Sequence, residues 1–252
     1  MTNEIFTGGH FSSGTRVIQF LLEQTHNICS NNTHKDYEPG FDVPQMTFSE
    51  LWLKGGKPKL KRKYGDKTYH LKKPFALKNP DFMLSFPRLK QLFPESKTIL
   101  VVRNGLDQIL CDNRAMFHRF ARYFGMTPLD LKTTQVDYLK GEMKFWNEAY
   151  KYSLENGVDC VVRLEDLVND TENVVGNLFK WLDIPYPDVS MIKKPKSMGR
   201  YKNPHIIPDT HGYRPQHLKK VRYNPSMIPA LYEVGKEMMD QFGYDKDICG
   251  YL

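Results

Sequence analysis

Cysteine is scarce in this chain. Cys29, Cys111, Cys160 and Cys249 are the four among 252 residues, and no two form a Cys-x-x-Cys pair. That excludes a compact thiolate zinc site. No run of about 18 apolar residues occurs, so no membrane-spanning helix is expected. Met1 to Glu4 bring no basic stretch followed by an apolar one, so a signal peptide is not expected either. Reduced thiols in a cytoplasm are the resulting expectation. An excess of acid is also missing: the net charge is +7. Most of that charge is local. Residues 54–67, KGGKPKLKRKYGDK, set Lys54, Lys57, Lys59, Lys61, Arg62, Lys63 and Lys67 against the single acid Asp66. A near-neutral body with one basic flap suits a localised anionic partner better than general nucleic-acid binding.

What is present is enough apolar material, 40% of residues, to bury one large core. A single domain over 1–252 is expected. Residues 4–9 read as a strand, and Thr15 to Gln24 as a helix with Val17, Ile18, Leu21 and Leu22 on one face. Short strands are expected near Asn27 to Ser30 and Thr68 to Leu71, and a helix from Asp81 to Leu92. KTILVVRN, 97–104, is the clearest buried strand. Helices are expected over Leu106 to Tyr123 and Thr133 to Glu155, then a strand in VDCVVRLEDL. A helix capped by Asn169 or Asp170 carries Val174, Val175, Leu178, Phe179, Trp181 and Leu182. A last helix covers Ser226 to Phe242. Alternating strands and helices predict an α/β fold: a P-loop-type central parallel sheet flanked by helices on both faces.

The stretch IFTGGHFSSGTRVIQFLLEQ, 5–24, runs strand, glycine-rich turn, helix. Backbone N–H groups at such a turn and the helix N-terminus face an anion. The lysine that precedes Ser or Thr in an ATP-binding loop is absent; Thr15 and Arg16 stand there. With no such lysine and no clear magnesium ligands, an ATP kinase is disfavoured. Arg103 ends a buried strand, where ligands bind in open α/β sheets.

Three further blocks follow in order: KTILVVRNGLDQILCDN, VVRLEDLVNDTENVVGNLFKWLDIP and KKPKSMGRYKNPH. Together with the first loop they resemble the sulfotransferases that use 3′-phosphoadenosine 5′-phosphosulfate (PAPS). The likeness runs from residue 5 to about 206. It looks closest to a bacterial group with a Gly-Thr-Arg loop and more distant from heparan sulfate 3-O-sulfotransferases. The resemblance implies PAPS as co-substrate, 3′,5′-ADP (PAP) as product, and no metal. It implies that Gly9, Ser13, Gly14, Thr15 and Arg16 form the 5′-phosphosulfate loop, with Ser12 where many members carry Lys or Arg. Arg103 matches the contact to the 3′-phosphate. Cys111 falls where the family has serine, with Asn113 as a substitute donor. Gly199 and Arg200 match the loop that closes over the nucleotide, here about 193–215.

The chemistry asks for the same residue types. In-line sulfuryl transfer builds charge on the leaving phosphate oxygen, which needs fixed donors. The acceptor needs a base within hydrogen-bond reach. Lys78, in a Lys-x-Pro setting, matches the family lysine near the sulfuryl group; otherwise it is a surface lysine at a helix start. The resemblance implies a base after the first helix, in the region matching residues 30–42, where the candidates are His34, Asp36, Glu38 and Asp42; Asp36 comes first because NTHKD resembles an Asn-x-x-x-Asp pattern of the bacterial group, with Glu38 beside it. Each also reads as a solvated loop residue. The resemblance makes Glu165 and Asp166 structural. His10 lines the acceptor side or packs in the loop, and Phe117, Phe120, Tyr123 and Phe124 read as core. The flap is a solvated loop, a dock for an acidic glycan, or a nucleic-acid or phospholipid contact. The expected acceptor is a hydroxyl or amine of a small molecule or glycan. Two alternatives remain: a catalytically degenerate module binding an acidic polymer, and an ATP-dependent phosphotransferase.

Overall fold

The structure is a computed structural model that describes residues 4–10, 13–23, 29–30, 75–109, 135–186 and 225–244. Its centre is a five-stranded sheet in the order β2-β3-β1-β4-β5. The strands are β1 (Ile5–Gly8), β2 (Cys29–Ser30), β3 (Phe75–Lys78), β4 (Lys97–Val102) and β5 (Cys160–Arg163). Every pairing is parallel.

Period-two alternation sorts the strand side chains onto two faces. Phe6, Leu77, Leu100 and Val102 point to one apolar cluster, and Ile5, Ala76, Ile99 and Val101 to the other. Helix α1 (Thr15–Glu23) covers the second face with Val17, Ile18, Leu21 and Leu22. The first face is covered by α4 (Gln135–Glu155) and α7 (Ile228–Gln241), through Met143, Trp146, Leu231 and Met239. Helices α5 (Leu164–Asn169) and α6 (Thr171–Leu182) return to the second face. The expected two-sided parallel sheet is therefore present.

Several boundaries differ from the sequence expectation. Phe75–Lys78 is a strand that the pattern did not mark. The helix expected from Asp81 divides into a 3-10 turn, Pro80–Leu84, and α2, Phe86–Leu92. Pro87 is the cause: it has no N–H for the Met83 carbonyl. That carbonyl instead accepts from the Ser153 hydroxyl at 2.8 Å. LEDL is not strand but the start of α5. Asp170 is the N-cap position of α6, yet its carboxylate accepts from Asn173 Nδ2 at 2.9 Å and caps no backbone N–H. After β4 the described helix α3 covers Gly105–Ile109. The aromatic helix around Phe117, the strand at Thr68 to Leu71 and the flap lie outside the described residues.

Candidate active site

Strand order decides where a ligand crevice forms. From β1 the chain passes to β2 and β3 on one side, and from β4 to β5 on the other. Connections that leave neighbouring strands in opposite directions open a crevice beyond their carboxyl ends. Beyond β1 comes the glycine-rich turn, and beyond β4 come Arg103 and α3. Lys78 closes β3, the strand on the other side of β1.

The turn is built by close approach. A Cβ on Gly9 would strike the Val101 carbonyl and lie 2.7 Å from Ser13 Oγ. Gly14 has φ +96°, and a Cβ there would lie 2.6 Å from Leu164 Cδ1. Only glycine tolerates both crowding and that backbone. The Ser13 N–H donates to the His10 carbonyl at 3.1 Å, tightening the turn. The Gly9 N–H is taken by the Pro80 carbonyl at 3.3 Å. The helix N-terminus at Thr15 and Arg16 follows directly, and its first N–H groups have no carbonyl one turn back within α1. Ser13 and Thr15 are buried in this turn, and Arg16 is half-buried. A glycine-walled turn opening a helix fits a phosphate-sized anion.

Lys78 is not a surface lysine at a helix start. It ends a strand and is 1% exposed. Arg103 is 6% exposed, and its guanidinium grips the buried Asp107 carboxylate one helical turn on. Nε donates to Asp107 Oδ2 at 2.6 Å, and Nη2 meets the same oxygen. Asn104 Oδ1 caps α3 by accepting the Leu106 N–H at 3.0 Å and the Asp107 N–H at 3.3 Å.

Glu165 is part of this scaffold. Its Oε1 accepts the Asn104 N–H at 2.8 Å, and its Oε2 accepts the Tyr244 hydroxyl at 2.9 Å. Burial pushes its carboxyl up, while the Asn104 N–H, the Tyr244 hydroxyl and the Arg103 charge pull the other way. Asp166 is exposed and lies 3.7 Å from Arg163. His10 packs its ring 5.5 Å from that of Phe145.

The structure thus brings Gly9, Ser13, Gly14, Thr15, Arg16, Lys78 and Arg103 to the carboxyl ends of the three central strands. Ser12, His34, Asp36, Glu38, Asp42, Cys111, Asn113, Gly199 and Arg200 lie outside the described residues. Asp107, Asn104 and Tyr150 were not singled out from the sequence. The Arg-x-x-x-Asp spacing of 103 and 107 was the available signal for the first of them. Among the described residues no group of His, Cys, Asp and Glu is placed to hold a metal ion. No described helix is long and apolar enough to cross a membrane.

Residues 4–188 match the model of the sulfotransferase family. The chain belongs to the sulfotransferase family. Protein-tyrosine sulfotransferase 1 of Danio rerio is 26% identical over 217 residues, covering 73% of this sulfotransferase and 54% of that protein. The chain thus spans about half the length of this curated relative. Among solved structures, the sulfotransferase domain from the curacin biosynthetic pathway has a TM-score of 0.55 at 14% identity, covering 97% of this chain and 99% of its own. Mouse sulfotransferase SULT7A1 complexed with PAP has a TM-score of 0.53 at 16% identity, covering 95% and 85%. The sulfotransferase domain of the Synechococcus PCC 7002 olefin synthase follows, with a TM-score of 0.51 at 16% identity and coverage of 96% and 94%. At these identities the structures establish a shared fold, the P-loop-type sheet.

Proposed function

We propose that this sulfotransferase uses PAPS as donor and a hydroxyl or amine as acceptor. The observation that carries the reading is the meeting of the glycine-walled turn, Lys78 and Arg103 at the switch point of the sheet. Gly9, Ser13, Gly14, Thr15 and Arg16 would receive the 5′-phosphosulfate. Arg103, held by Asp107, would meet the 3′-phosphate that separates this donor from ADP or ATP. Ser12, Cys111, Gly199 and Arg200 complete the proposed nucleotide site. A structural neighbour in complex with PAP is in keeping with that choice of donor.

In the proposed reaction the acceptor oxygen or nitrogen attacks sulfur. A bond from that atom to sulfur forms as the bond from sulfur to the 5′-phosphate oxygen breaks. The acceptor proton passes to a carboxylate, Asp36 in first place and Glu38 in second. The charge that collects on the leaving oxygen is met by Lys78 and Arg16, fixed donors in a water-poor site. This reading treats 1–252 as one domain working in the cytoplasm, with residues 30–66 and 186–215 shaping the acceptor pocket.

The test is transfer of labelled sulfate from PAPS to a panel of phenols, amines, acidic glycans and tyrosine peptides. The curated relative's name puts tyrosine peptides on that panel. Label in any acceptor, with release of 3′,5′-ADP, is the expected result. Stabilisation by ATP with magnesium but not by 3′,5′-ADP would turn the assignment toward a phosphotransferase. Heparin binding without any response to 3′,5′-ADP would turn it toward a binding module.

A further inference from the structure

Tyr150 lies on α4, fully buried, and no motif of the loop points to it. Its hydroxyl accepts the His10 backbone N–H at 3.1 Å and donates to the Val101 carbonyl at 3.0 Å. Those two backbone groups are not an arbitrary pair. Strands β1 and β4 run in register with Ile5 opposite Lys97 and Gly8 opposite Leu100. The ladder begins with the Lys97 N–H donating to the Glu4 carbonyl at 2.8 Å. Parallel ladders repeat every two residues on each strand. Continued by that repeat, the rung after the last one would join the His10 N–H to the Val101 carbonyl. The phenol oxygen occupies the position of that rung.

We propose that the Tyr150 hydroxyl is a wedge that ends the β1–β4 ladder and holds the phosphate turn open. It satisfies both backbone groups, so the two chains part without leaving an unpaired donor or acceptor in the core. Gly9 then passes over the Val101 carbonyl, a passage only a residue without Cβ can make. The neutral phenol suits the task. It gives one proton and takes another, and burial pushes its ionisation well above the ordinary tyrosine range. Trp146, one helical turn earlier, packs its ring 4.9 Å from the phenol ring and helps fix the angle. Tyr150 is thus a positioning residue for the 5′ side of the site, acting through the backbone of the turn.

The inference rests on the proposed donor reading, and its test separates the two. Calorimetry would compare 5′-AMP, 3′-AMP and 3′,5′-ADP on the full chain and on Tyr150→Phe. The wedge predicts that Tyr150→Phe weakens 5′-AMP and 3′,5′-ADP by about tenfold, the worth of one well-placed hydrogen bond. Binding of 3′-AMP should stay within about twofold. Equal weakening of all three ligands would mean a general loss of packing and would overturn the inference, as would no change at all. If the unaltered chain bound none of them, the donor reading itself would fall, and the wedge with it. A measurement on the unaltered chain covers the case in which the variant does not fold. The His10 amide should exchange slowly in the ligand-free protein, and fast exchange would remove the wedge.

Discussion

Arg103 and Asp107 form the pair on which most of the proposed 3′ side rests. Both are buried, and breaking such a pair leaves an uncompensated charge at a cost of about 3–5 kcal/mol. Arg103→Ala should therefore do two separable things. It should lower stability by roughly that amount in urea unfolding, and it should weaken 3′,5′-ADP by at least about tenfold in calorimetry, the loss of a charge-assisted contact. Unchanged affinity would remove Arg103 from the site whatever happened to stability. Glu165 makes a second prediction through pH. Its folded-state carboxyl keeps its proton to higher pH than in the unfolded chain. Below the ordinary carboxylate range both states are protonated and the group has no effect. As pH rises from there toward the raised folded value, the unfolded chain releases its proton first, so stability falls; above that value the loss is complete. Glu165→Gln keeps an acceptor for the Asn104 N–H and a partner for the Tyr244 hydroxyl but removes the charge. Its stability curve should lack that fall, and a curve parallel to the parent's would contradict the assignment. Asp107 was hidden in the sequence because an Arg-x-x-x-Asp spacing occurs on many solvated helices. Nothing in that spacing says that both groups will be buried.

At the scale of elements, the turn between β1 and α1 was legible because glycine and strand-helix succession are local signals. Strand β3 was not. FALK is a short apolar run between Pro74 and Pro80, and its place beside β1 is a tertiary fact. With that strand unmarked, a surface lysine at a helix start stayed open as one of two readings of Lys78; the structure makes it a buried strand end. The two turn glycines predict a ranking. Gly14→Ala should cost about 1–2 kcal/mol for a side chain forced into left-handed backbone, with Leu164 shifting its flexible end aside. Gly9→Ala should cost more, since its obstacle is the Val101 carbonyl, which the sheet holds in place. Thermal melts of the two variants should fall in that order. A Gly9→Ala protein as stable as its parent would show that the turn does not pass so close to β4.

Across the whole molecule, the family match stops at residue 188 but the core does not. Helix α7 adds Ile228, Leu231, Tyr232, Met238 and Met239 to the cluster that holds Trp146 and Tyr150. Asn147 Oδ1 also accepts the Met238 N–H at 3.1 Å, and Lys151 meets Glu237 at 2.7 Å. A chain shortened to residue 224 should lose cooperative unfolding, because the face of α4 toward α7 would meet water. A sharp transition at the parent temperature would argue against the single-domain proposal. The two-sided parallel sheet was readable from the alternation of strands and helices, because a parallel sheet needs crossovers and the two patterns differ in period; the strand order was not. The acceptor side was not readable. Its base candidates sit in a polar stretch with no periodicity, so several carboxylates there are equivalent by pattern.

Trp146 has a consequence of another kind. It is fully buried, and its indole N–H donates to Gln108 Oε1 at 2.9 Å, one residue from Asp107. Gly105, two residues past Arg103, runs so close that a Cβ there would sit 3.0 Å from the ring. Trp181 belongs to the opposite face of the sheet. The indole is therefore an intrinsic fluorophore wired to α3, and a ligand that pulls on Arg103 would shift its emission without any label being attached.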